Sequence, residues 1–188
     1  INSINPPDFY HSPKTSLVCV ENTTNKGGGA CWDINELIKI KETCLDHNLS
    51  YHLDGARIWN AMVKTNTEPT QYGNIFDSIS ICLSKGLGCP VGSVLIGSSE
   101  FINKAIRVRK VLGGGMRQAG YLAACGIYAL NNNIERLKED HLKALEIEKL
   151  LSKKNYIKKV EEVETNILIF QLKSNYDSNI FLKKMLDC

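Results

Sequence analysis

No run of 18 apolar residues occurs in this chain of 188, so no bilayer-spanning helix is legible. The first ten residues lack both a basic start and an apolar core, so no secretory leader is legible either, and the cytoplasm is the default expectation. Cysteine pairing is also missing. The seven Cys, at 19, 31, 44, 82, 89, 125 and 188, form an odd, scattered set without C-x-x-C or paired-His spacing. That disfavours a disulfide framework and a structural zinc, and leads us to expect no metal and reduced, mostly buried thiols. Charge of one sign does not dominate, since the formal net charge is +3. It is uneven, however: residues 1–100 hold 7 basic and 10 acidic groups, and residues 101–188 hold 16 and 10. Nucleic acid is set aside, because the Lys pairs at 153–154 and 158–159 alternate with Glu148, Glu161 and Glu162 and lack an aromatic platform. Internal repeats and low-complexity tracts are absent.

What is present is ordinary globular usage, with 43% hydrophobic and 23% charged residues. Thr15 to Glu21 reads as a buried strand that ends in a polar, Gly-rich loop, Asn22 to Gly29. Asp33 caps a helix to about His47, with an apolar stripe of Ile34, Leu37, Ile38, Cys44 and Leu45. Short strands at Ser50–Leu53, Ser78–Leu83 and Gly92–Gly97 follow, the first two separated by a helix from about Ala56 to Val63. Helical patterns then dominate at about 100–110, 117–131 and 134–154. The alternation predicts an α/β sheet with both faces covered. Beyond Asn155 two strand-like runs, Ile157–Val163 and Asn166–Leu172, precede a helix from Ser178. We expect residues 1–134 to belong to a large α/β domain and 135–188 to a linking helix and part of a small α+β domain. The Ile at position 1 and the chain's stop inside a helical pattern lead us to expect a fragment, poorly stable and inactive by itself.

Ligands of open α/β sheets bind at the carboxyl ends of strands. Asp54 follows the strand Tyr51-His52-Leu53, and Lys85 follows the strand Ser78 to Leu83. Taken singly, Asp54 reads as a helix cap and Lys85 as a loop lysine in water. With Gly55, Gly86 and Gly88 letting backbone approach a ligand, the pair reads as an acid and an amine facing one crevice. That is what a pyridoxal phosphate site requires: an amine for the Schiff base and a carboxylate for the pyridine nitrogen. Gly86 to Gly92 spells G-x-G-x-x-x-G, one residue too long for a dinucleotide fingerprint, and Lys85 lacks the preceding glycine of a Walker loop. The basic, glycine-rich stretch Arg107 to Arg117 suits an anion site.

Three motifs in register, HLDGAR (His52 to Arg57), ICLSKGLGCPVGS (Ile81 to Ser93) and GGGMRQAG (Gly113 to Gly120), resemble those of low-specificity L-threonine aldolases. These are fold-type-I, aspartate-aminotransferase-like pyridoxal-phosphate lyases, and the resemblance runs from about Thr15 to Phe170. It implies a partial large domain of that fold and the retro-aldol cleavage of threonine to glycine and acetaldehyde, in amino acid metabolism. Lys85 is then the Schiff-base lysine, Asp54 the partner of the pyridine nitrogen, and Ala56 the residue against the ring face. Arg57 is expected to bind the substrate carboxylate, and Ser84, Lys110 and Arg117 the cofactor phosphate, the last two from a neighbouring subunit. The implied partners are a small amino acid and further copies of the chain, as a dimer or tetramer with shared sites.

One departure stands in the first loop. Glu21 to Asn25 reads ENTTN where many relatives have ENTHN, so Thr24 occupies the place of a histidine beside the substrate hydroxyl. A hydroxyl is no general base at neutral pH, which leaves the base and the threo/erythro preference open. His52 reads as a histidine packed beside the strand end. The alternatives are another fold-type-I enzyme, an aminotransferase or β-eliminating lyase, and a non-catalytic remnant.

Overall fold

The computed structural model describes residues 4–5 and 10–187; readings that touch residues 1–3, 6–9 and 188 lie outside them. Four strands, β1 (Leu17–Glu21), β2 (Ser50–Gly55), β3 (Ser78–Cys82) and β4 (Ser93–Gly97), form a sheet in the order β1-β2-β3-β4. The first three run parallel, as crossover helices between them require, and β4 returns antiparallel to β3. Helix α1 (Ile34–Asp46) joins β1 to β2, and Asp33 caps it by accepting the Asn35 N–H at 2.8 Å. Helices α2 (Ile58–Thr65) and α3 (Pro69–Ile75) join β2 to β3. The short α3 was not expected: it holds Gly73 and too few residues for an apolar stripe. It is nucleated instead by Pro69 and by Gln71, whose side chain accepts the Glu68 N–H at 2.9 Å.

Burial alternates along β2, with Tyr51 and Leu53 fully enclosed and His52 and Asp54 half-buried. Tyr51, Leu53, Ile79 and Ile81 pack on Leu37 and Cys44 of α1, Ile58 and Ala61 of α2, and Tyr72 and Ile75 of α3. Among the described residues, this is the one covered face. The opposite face is lined by Cys19, Glu21, His52, Asp54, Ser80 and Cys82, and β4 is exposed over most of its length. The expected second cover is therefore not found among the described residues.

A second cluster joins Leu83, Leu87 and Cys89 of the β3–β4 turn to Ala129 of α5 (Gly120–Asn132) and Leu137 of α6 (Leu137–Leu151). Helix α4 (Ser99–Val111), capped by Ser98, buries no residue. Helix α5 starts three residues later than the pattern predicts, because Gln118 takes a left-handed backbone (φ 53°) that interrupts a helix. The later strands are shorter than expected. β5 (Ile157–Val160) and β6 (Phe170–Leu172) pair antiparallel, and α7 (Ser178–Leu186) follows. Residues between them leave the ladder because they pack instead on the glycine loop that follows β1. Of the six described cysteines, all free, only Cys44 and Cys89 are buried. The expectation of mostly buried thiols is thereby corrected: Cys19 and Cys82 lie on the polar sheet face and Cys125 on the outside of α5. No described helix is long and apolar enough to cross a membrane.

Candidate active site

Parallel pairing in near-perfect register brings three strand ends level. Glu21 stands opposite Asp54, and Asp54 opposite Ser80. Asp54 Oδ1 accepts the Ala56 N–H at 3.0 Å, which turns the chain sharply after β2, and no described residue engages Oδ2. Gly55 is needed within that bend, because a Cβ there would sit 2.8 Å from the Ser80 carbonyl. The expected helix begins two residues late, so half-buried Ala56 and Arg57 occupy the turn and Arg57 is the N-cap of α2. Among the described residues Arg57 forms no ion pair, which removes the simplest structural account of an arginine at this point. His52 shares the face of Asp54, and its Nδ1 lies 2.7 Å from the Ser78 hydroxyl across the strand pair.

Lys85 is exposed in the turn after β3 and likewise forms no ion pair. The turn that carries it is tightly determined. Gly88 N–H donates to the Lys85 carbonyl at 2.8 Å, Cys89 N–H to the Leu83 carbonyl at 3.2 Å, and Asn133 Nδ2 to the Leu87 carbonyl at 2.7 Å. Gly86 lies so close to Leu137 that a Cβ would be 2.7 Å from its side chain. The Cys82 sulfur is 3.5 Å from the Ser84 hydroxyl. Burial pushes this thiol up, but the Ser84 hydroxyl and the Lys85 ammonium outweigh burial and hold it below its ordinary value.

The loop carrying Thr24 is bound to the same sheet edge. Asn22 N–H donates to the Asp54 carbonyl at 3.0 Å, and fully buried Asn22 also reaches the Tyr72 hydroxyl through Nδ2 at 3.3 Å. Thr24 N–H donates to the Ala30 carbonyl at 3.1 Å and Gly29 N–H to the Thr24 carbonyl at 2.8 Å, closing the loop on itself. Lys110 and Arg117 lie beyond β4 in the chain. Both are exposed, on the last turn of α4 and in the linker to α5, and neither bonds to any residue around Asp54 or Lys85. The structure thus brings Thr24, Asp54, Ala56, Arg57, Ser84 and Lys85 onto the carboxyl ends of neighbouring strands, and gives Lys110 and Arg117 no bond to that group.

Sequence reasoning missed Asn22, Asn60, His141, Glu164 and Thr165. Asn60 and His141 are both buried, and their Nδ2 and Nε2 lie 3.1 Å apart between α2 and α6. Burial and Lys64 hold the His141 imidazole below its ordinary value against the opposing pull of Asp140. The only available signal was a polar residue on the apolar side of a helix, which cannot name its partner.

Asp54, Arg57 and Lys85 thus lie on turns that follow adjacent parallel strands, where ligands of open α/β sheets bind. The chain belongs to the beta-eliminating lyase family, whose model matches residues 2–175. It is 50% identical over 135 residues to the low specificity L-threonine aldolase of Escherichia coli (strain K12), covering 72% of this chain and 40% of that protein. It is 44% identical over 165 residues to low-specificity L-threonine aldolase 1 of Arabidopsis thaliana, covering 87% and 46%. The chain thus spans under half the length of these relatives. Among solved structures it is similar to a threonine aldolase from Leishmania major, with TM-score 0.75, 22% identity, and 94% of this chain and 51% of that one covered. The histidinol-phosphate aminotransferase of Clostridium acetobutylicum gives TM-score 0.67 at 18% identity, over 92% and 52%. The fold is accordingly part of the fold-type-I large domain. Family and fold imply pyridoxal phosphate, and the donor set fits it: among the described residues, one carboxylate oxygen of Asp54, the amine of Lys85 and the guanidinium of Arg57 are without a counter-ion.

Proposed function

We propose that the full protein is a pyridoxal-phosphate-dependent lyase that splits the Cα–Cβ bond of L-threonine and L-allo-threonine into glycine and acetaldehyde. The observation that carries this reading is the alignment of Asp54 and the turns bearing Arg57 and Lys85 at the ends of β2 and β3, in a chain half identical over 135 residues to such an aldolase. The cofactor, when bound, supplies an electron sink for the breaking bond. Lys85 is the amine that holds it. The free Asp54 oxygen accepts the pyridine N–H and keeps that proton in place through its negative charge. Arg57 takes the substrate α-carboxylate in its planar fork, which selects the bond at Cα that stands ready to break. Ala56 presents a small side chain to the ring. Thr24 hydrogen-bonds the β-hydroxyl without acting as its base.

Ser84 contacts the cofactor phosphate. Lys110 and Arg117, which bond to nothing near Asp54 in their own chain, serve the phosphate of a neighbouring copy in a dimer or homotetramer with shared sites. Residues 1–134 are read as large domain and 135–188 as linking helix plus small-domain portion. The setting is cytoplasmic amino acid metabolism, with threonine catabolism and glycine biosynthesis as its two ends.

The test loads the full-length protein with pyridoxal phosphate, reduces it with borohydride, and maps the adduct by peptide mass spectrometry. An adduct on Lys85, with glycine and acetaldehyde formed from threonine, is the expected result. Keto acid as the main product would turn the reading to an aminotransferase. No adduct on a well-folded protein would favour the non-catalytic one.

A further inference from the structure

The loop that carries Thr24 is anchored by residues far along the chain. Thr165, fully buried, donates its hydroxyl to the Gly29 carbonyl at 2.7 Å, and the Cys31 N–H donates to a Glu164 carboxylate oxygen at 3.0 Å. These bonds join positions 136 and 133 residues apart. Gly29 has a left-handed backbone (φ 81°), and a Cβ on it would lie 2.5 Å from the Thr165 hydroxyl oxygen and 3.1 Å from Ile167. The contact therefore admits only glycine on one side and a hydroxyl on the other. Burial, with Glu164 beside it, pushes the Cys31 thiol up to about 12, so this junction holds no competing thiolate. The anchored carbonyl belongs to the residue whose N–H binds the Thr24 carbonyl, and the same loop starts at Asn22, bonded to Asp54.

We infer that Thr165, assisted by Glu164, is a positioning residue that sets where the Thr24 hydroxyl stands and thereby how the enzyme discriminates between the two Cβ epimers of its substrate. This rests on the aldolase reading of Thr24. The physical reason is that a loop closed on itself but unanchored can tilt as a unit. A displacement of an ångström at Thr24 favours one hydroxyl configuration over the other, since the epimers differ only in where that oxygen points.

The experiment compares full-length wild type, Thr165→Val and Thr165→Ser. Valine keeps the volume and removes the donor, leaving the buried Gly29 carbonyl unpaired; serine restores the hydroxyl. Two readouts are taken. In the protein without cofactor, amide exchange of the 24–31 segment is expected to accelerate about tenfold in Thr165→Val, while the β2 peptide 51–55 is unchanged and Thr165→Ser stays near wild type. In the loaded enzyme, the ratio of kcat/KM for L-threonine to that for L-allo-threonine is expected to shift by about three- to tenfold in Thr165→Val, with serine restoring it. Unchanged exchange in the loop, or an unchanged epimer ratio with equal losses on both substrates, overturns the inference. A wild-type protein that cleaves neither epimer overturns the aldolase reading and the discrimination with it, whereas exchange still reports on the anchor alone.

Discussion

The layer built from β1, β2, β3 and α1–α3 and the stretch from α4 through α5 are both rich in aliphatic residues, yet they bury them very differently. In the first, Leu37, Tyr51, Leu53 and Ala61 have no exposure at all. In the second, Val111 is 76%, Leu112 79% and Tyr121 85% exposed, and α4 buries nothing. The first layer closes its own core because parallel strands and crossover helices are neighbours both in sequence and in space. From α4 through α5, only Gly126 and Ala129 are buried. The groups proposed to act on the substrate straddle that division: Asp54 and Arg57 ride on the first layer, and Lys85 on the turn that packs against α5 and α6.

Four substitutions would break or sharpen that contrast. Lys85→Ala carries the largest expected effect, a loss on the order of 10⁴-fold in kcat with the fold intact, read by steady-state cleavage of threonine and by far-UV circular dichroism. Asp54→Asn keeps the shape of the turn and removes the charge; kcat should fall about 10²- to 10³-fold with cofactor still bound, followed by absorbance titration. Leu53→Ala, in the closed core, should cost about 2–5 kcal/mol in urea unfolding, whereas Val111→Ala should stay within about 0.5 kcal/mol while the protein is dilute. Equal costs at the two positions would erase the difference between the layers.

The smallest effect concerns His141. Its folded value is depressed by burial and by Lys64, so below the ordinary histidine range the unfolded chain binds a proton that the native protein refuses. Stability from this group is therefore present at neutral pH and lost as pH falls through the ordinary histidine value toward the depressed one. Urea midpoints measured between about pH 7.5 and 5 should drop for wild type and drop less steeply for His141→Gln.

Much of this was legible beforehand, for identifiable reasons. The strand ends at Asp54 and Cys82 announce themselves through apolar runs that stop at polar or glycine residues, and a parallel sheet makes such ends converge. Helix α1 was readable from Asp33 and its stripe. Three things were not. Helix α3 lacks a stripe, and the antiparallel return of β4 depends on pairing with β3. The short β5 and β6 reflect competition between a ladder and the contact of Glu164 and Thr165 with the glycine loop, which local propensity cannot weigh.

Residue type and spacing were enough to nominate the chemical groups: lysine, aspartate and arginine after strand ends, with glycines where backbone must bend closely. Those signals are local, set by side-chain chemistry and by the two-residue and 3.6-residue periods of strand and helix. Register and long-range packing decided the rest. Only tertiary structure levels Glu21, Asp54 and Ser80, leaves the second Asp54 oxygen and the Arg57 guanidinium unpaired among the described residues, and fits Thr165 against Gly29 across 136 residues. Contacts between distant segments depend on how whole elements stack, and no window of sequence contains both partners.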